Sequence, residues 1–132
     1  MRQLAAFVLA GLAMPAIADD PPAFRQGMWE FNRTVDAGGM PQTMNTKQCV
    51  DPTEDMKKHN EMLTKAGCKM PAGTRSGNSY GFTIDCVMQG VTMQSKSVIT
   101  VESDSAYRID VESQQGGKTT KEVLLARRIG DC

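Results

Sequence analysis

The sequence predicts an α+β fold, a curved antiparallel β-meander of about six or seven strands with one amphipathic helix between strands two and three. Three observations carry this prediction. Apolar and polar residues alternate along most of the chain beyond residue 27, the period of a sheet with one buried and one wet face. Turn signals rich in Gly, Asn and Asp recur at short, regular spacing, as sequential hairpins require. One segment alone, residues 53–66, carries the helical period instead.

The chain opens on a targeting segment. Met1-Arg2-Gln3 is followed by an uncharged apolar run from Leu4 to Met14, then Pro15 and the small-x-small Ala16-Ile17-Ala18. That order is the one a signal peptidase reads, with cleavage after Ala18. The run is shorter than the roughly 20 residues needed to span a bilayer. No cysteine sits next to the cleavage site, and no later segment is apolar enough for a membrane helix. The expectation is a mature protein free in the periplasm, with no stable membrane insertion. Residues 19–26 read as a flexible lead-in with Pro21-Pro22, and residues 27–132 as one domain.

The first strand is Trp29–Val35, with Trp29, Phe31 and Val35 on one side. Residues 36–41 turn the chain, and Gln42–Val50 forms the second strand. Asp51-Pro52-Thr53-Glu54 then starts a helix: Asp51 caps, Pro52 suits the first helical position, and Glu54 stands where a capping box needs it. Met56, His59, Met62, Leu63 and Ala66 share a face, and Gly67 stops the helix. Lys69–Arg75 is an interrupted strand fit only for an edge. Ser76-Gly77-Asn78 turns into Tyr80–Met88, Gln89-Gly90 into Val91–Val101, Ser103-Asp104 into Tyr107–Val111, and Gln114–Gly117 into the last strand, Lys118–Ile129. Periodicity leaves open whether such a sheet closes into a barrel or stays a half-open one.

Four cysteines, Cys49, Cys68, Cys86 and Cys132, in an exported chain read as two structural disulfides. If Ser76-Gly77-Asn78 is a hairpin tip, Cys68 and Cys86 lie equally far from Gly77 and face each other across it. Cys49 would then join Cys132. A second scheme, Cys49–Cys68 with Cys86–Cys132, stays open. There is no C-x-x-C spacing to suggest zinc or thiol exchange.

Taken in order, several segments resemble the bacterial family called domain of unknown function 3617. They are Gly27-Met28-Trp29-Glu30-Phe31, Gly39-Met40-Pro41, Lys47-Gln48-Cys49-Val50 with Asp51-Pro52-Thr53-Glu54-Asp55, the turn at Ser76-Gly77-Asn78 between Cys68 and Cys86, and Arg127-Arg128-Ile129-Gly130-Asp131-Cys132. The resemblance spans essentially the whole mature chain. It implies an exported envelope protein and no particular activity.

Charge excludes some partners. Fifteen basic residues balance fifteen acidic ones and are scattered, so neither a nucleic-acid stripe nor a polybasic membrane patch forms. No nucleophile elbow or phosphate loop is spelled out. His59 is the sole histidine and a boundary residue on the helix stripe. Met40, Met44, Met88 and Met93 flank two turns, and thioethers select Cu(I), but methionine is also an adaptable core and contact residue. The expected function is therefore a non-catalytic domain, with no cofactor, that binds an apolar small molecule, a lipid or an envelope protein. A Cu(I) site on those four methionines is the alternative, and an envelope hydrolase using His59 a third.

Overall fold

The computed structural model describes residues 22–71 and 73–132. The signal segment, residues 1–18, lies outside them. Seven strands form one antiparallel sheet: β1 (Gly27–Asp36), β2 (Gln42–Val50), β3 (Thr74–Ser76), β4 (Ser79–Met88), β5 (Val91–Ser103), β6 (Ala106–Gln115) and β7 (Lys118–Gly130). The helix α1 (Pro52–Lys65) stands between β2 and β3 in the chain. In space the order is β2-β1-β7-β6-β5-β4-β3. The last strand returns to pair with the first, so β2 and β3 become the two free edges. The sheet is open, and the helix crosses from one edge to the other.

Local chemistry explains the connections. Gln89 and Gly90 both have positive φ, 51° and 77°, which the twist of a two-residue hairpin favours. Gln89 is the one non-glycine residue so placed among those described. Gly27 marks a close approach: a Cβ there would lie 2.5 Å from the Gly130 carbonyl oxygen and 2.6 Å from Arg128 Nε. The approach coincides with a register shift in the β1–β7 ladder after Met28. The expected Lys69–Arg75 strand shrinks to Thr74–Ser76 plus one bridge, Lys69 to Asp85. Between these the pairing slips by one residue, as Thr74 faces Gly81 whereas Lys69 faces Asp85. Pro71 has no N–H to donate to a ladder.

The inward residues of successive strands line up in cross-strand rows. Phe31, Ala126, Tyr107 and Val101 form one row. Leu124, Ile109, Ile99 and Tyr80 form the next, beginning at Arg33. The core gathers at this end of the sheet: Phe24, Trp29, Ile99, Tyr107 and Ala126 are buried. Phe24 packs on Tyr107 with ring centroids 4.5 Å apart and meets the Trp29 ring edge-on.

Residues 22–26 are not the loose lead-in that Pro21-Pro22 suggested. The Phe24 N–H donates to Thr53 Oγ1 at 2.8 Å, the Arg25 N–H to the Asp104 carbonyl, Trp29 Nε1 to the Arg25 carbonyl, and Arg128 Nε to the Gln26 carbonyl. A single buried aromatic, Phe24, turns the segment into part of the core. Burying such a side chain is worth about 1.5–3 kcal/mol.

Candidate functional site

Helix α1 behaves unlike the helix its apolar stripe promised. Its ends are well made. The Asp51 carboxylate accepts from the Glu54 N–H at 3.3 Å, and Pro52 is fully buried. At the far end Gly67 is left-handed, and the Cys68 N–H reaches back to the Leu63 carbonyl at 3.0 Å, the closing bond of a Schellman turn. Between the ends, however, Met56 packs against the core and Leu63 is half-buried, while His59, Met62 and Ala66 are exposed, Met62 by 64%. Disulfides hold both ends. Cys49, just before the helix, is joined to Cys132 with Cα atoms 5.8 Å apart. Cys68, just after it, is joined to Cys86 with Cα atoms 4.3 Å apart.

The helix is therefore a strap, covalently fixed to both wings of the sheet, over a floor it does not fill. Beneath and beside it lies a cleft of about 740 Å³, within the ~300–1,000 Å³ range of small-molecule sites. Its floor has two halves. The apolar half consists of Phe31, Phe82, Ile99, Ile109, Tyr107 and Leu124. The other half takes Glu122, Ser97 and Ser95 from the next rows, with apolar Val111 and Ile84 among them. Ser95 is buried and accepts from the Ser113 hydroxyl at 3.3 Å. Arg33 stands diagonally across from Glu122 and donates to its carboxylate. From the helix come Asp55, Met56, His59 and Asn60. A second hollow, of about 490 Å³, adjoins the Cys49–Cys132 disulfide and is ringed by Gln26, Gly27, Asp51 and Asp131. It has no comparable apolar floor.

Tyr107 links core to cleft. Burial, with Asp55 adding its negative charge, pushes the Tyr107 phenol from 10 up to about 12. The neutral form is thus favoured in the folded chain. Stability is unaffected below pH 10, falls as the pH rises from 10 towards 12, and is level beyond. The loss should reach about 2–3 kcal/mol. Urea unfolding between pH 9 and 12 in a Tyr80→Phe background, with phenolate absorbance as the second readout, should show this decline. A midpoint constant over that window would contradict it.

The residues singled out in the sequence fall in different places. His59 reaches the cleft wall. Met40, 90% exposed, lies in the β1–β2 connection and Met44 on β2. Met88 and Met93 flank the β4–β5 turn. The two pairs occupy opposite wings, with β1, β7 and β6 between them, and so do not form one ligand set. Among the described residues, no three His, Cys, Asp or Glu side chains are grouped to hold a metal ion. Alternation passed over Ser95 and Ser97, which share the inward phase of Met93 and Ile99 on β5. Small polar residues on an inward phase are a signal that a floor has been left open, and the sequence did contain it.

A family model described as "Protein of unknown function (DUF3617)" matches residues 24–132. It begins at Phe24, the aromatic that anchors the segment before β1. No curated protein and no solved structure matches the chain.

Proposed function

The chain belongs to the DUF3617 family, whose description supplies no activity, and we propose from the cleft that it is a non-catalytic domain binding one amphipathic small molecule or single-chain lipid outside the cytosol. The observation that carries this reading is a mainly apolar floor with Arg33, Glu122, Ser95 and Ser97 towards one end, beneath a helix that leaves it open. A tightly packed sheet would fill this space, since interiors are normally close-packed. Here the disulfides take over the work of holding the helix, which frees its underside from having to pack. Those two disulfides also support a compartment more oxidising than the cytosol. The export segment at residues 1–18 would deliver the chain to the periplasm.

The hydrolase alternative is less favoured by the geometry. Ser95 accepts from the Ser113 hydroxyl, and no hydrogen bond joins it to His59 among the described residues. The floor offers shape and hydrogen bonding, which suit retention of a ligand.

Filling the cleft tests the proposal. Ser97→Phe places a ring beside Phe82, its cross-strand partner. Calorimetric titration with a soluble single-chain lipid should show saturable binding to the native chain. The variant should bind at least tenfold more weakly, with its unfolding free energy from urea titration within about 0.5 kcal/mol of native. Equal affinity in the variant would place the ligand elsewhere. Native mass spectrometry of protein taken from periplasm gives an independent check, through a co-purifying organic mass.

A further inference from the structure

Charges rarely point onto the covered face of a sheet, because removing them from water is costly. Arg33 and Glu122 do so here, at the polar end of the cleft floor. They are the only charged residues that the strands contribute to the cleft lining among the described residues. The other close ion pairs between strands, Glu30 with Lys47 and with Arg127, belong to the opposite face. Arg33 is half exposed and Glu122 only 21% exposed, so Glu122 has the fewer alternative partners in water. Ser97 stands in the same cross-strand row as Glu122, with Val111 of β6 between them, and Ser95 lies two residues further along β5. Asp55 and His59 also line the cleft but come from the helix, and Asp55 acts on Tyr107 two rows away.

We propose that Arg33 and Glu122 form the head-group site of this cleft, and that it takes a zwitterionic head, an anionic phosphate beside an ammonium, on a single apolar chain. The inference rests on the binding function proposed above and specifies its ligand. The two side chains neutralise each other. A ligand carrying one charge would engage one of them and strand the other, leaving a partly buried charge unpaired. A ligand carrying both signs exchanges one ion pair for two. The guanidinium fork matches a phosphate, and a single carboxylate suits an ammonium. The apolar chain then lies along Ile109, Ile99 and Phe31, towards the aromatic core.

Four probes of equal chain length separate this from the alternatives: a lysophosphatidylcholine, a monoacylglycerol, a fatty acid and an alkyltrimethylammonium. Each is titrated calorimetrically, below its micelle concentration, into the oxidised mature chain. The zwitterion should bind roughly tenfold or more tightly than the other three, since a charge-assisted contact at each end distinguishes it. Arg33→Gln should lose that preference and favour the alkyltrimethylammonium, whereas Glu122→Gln should favour the fatty acid. Opposite shifts in the two variants are a signature that mere loss of packing would not produce. Equal affinity for all four heads, or equal losses across them in both variants, overturns the head-group assignment while leaving the cleft as a lipid site. Binding of none of the four overturns the cleft reading and this one with it.

Discussion

Trp29→Ala should remove about 3–5 kcal/mol of stability, the usual cost of deleting a large buried aromatic. Trp29 is completely buried. It stacks 6.5 Å from Phe31, lies 5.5 Å from Tyr107, and takes the edge of Phe24. Its indole N–H also closes the Arg25 carbonyl at 2.9 Å, so the substitution leaves a partly buried acceptor unsatisfied as well as a cavity. A domain of this size has about 5–15 kcal/mol in total. Far-UV circular dichroism during urea unfolding is the appropriate readout, because Trp29 is the only tryptophan and its fluorescence disappears with it. The midpoint should fall steeply, and the segment at 22–26 should become protease-sensitive before the sheet does. A change below about 1 kcal/mol would mean that the aromatic cluster is not the keystone of this end of the sheet.

Removing the Cys49–Cys132 disulfide by paired serine substitution should cost a similar amount for a different reason. The bond spans a sequence separation of 83 residues, and closing a loop that long removes about 4–5 kcal/mol of unfolded-chain entropy. Both cysteines are exposed, so serine there sacrifices little packing. The Cys68–Cys86 bond spans 18 residues, for which the same relation gives about 3 kcal/mol. Cys86 is only 1% exposed and Cys68 8%, so serine at these positions adds the cost of burying hydroxyls. The two paired variants should therefore both be clearly destabilised, one through the unfolded chain and one partly through the core. Calorimetric melting of each, beside the oxidised parent, checks this. Because the bonds hold the two ends of the strap, each variant should also weaken cleft binding more than its stability loss explains at temperatures well below melting. An unchanged melting temperature for the Cys49/Cys132 variant would contradict the entropic account.

Much of this architecture was legible along the chain. The helix boundaries followed from Asp51, Pro52 and Gly67, because caps act over three or four residues and need no distant partner. The hairpins from β4 to β7 followed from alternation and turn residues for the same reason. What escaped was non-local. The shared face of α1 was legible but its depth of burial was not: Met56 packs against the core, whereas Met62, further along the helix, is exposed. Phe24 looked like part of a tail, since a lone aromatic has no period to betray its burial. Ser95 and Ser97 interrupted an otherwise apolar phase, and only the register that sets them beside Ser113 and Val111 shows that they share one floor. Arg33 and Glu122 are 89 residues apart and meet solely because β7 pairs with β1.

The sequence by itself determined the α+β class, the strands, the capped helix and the supply of cysteines, all of them written in periods, turns and caps a few residues long. The tertiary structure alone decided which strands became edges, that the sheet stays open, and that the helix spans the cleft without filling it. Those outcomes depend on the pairing of β1 with β7 and on bonds joining residues up to 83 positions apart. Long-range closure depends on the summed fit of side chains from both ends of the chain, and no local pattern carries that information.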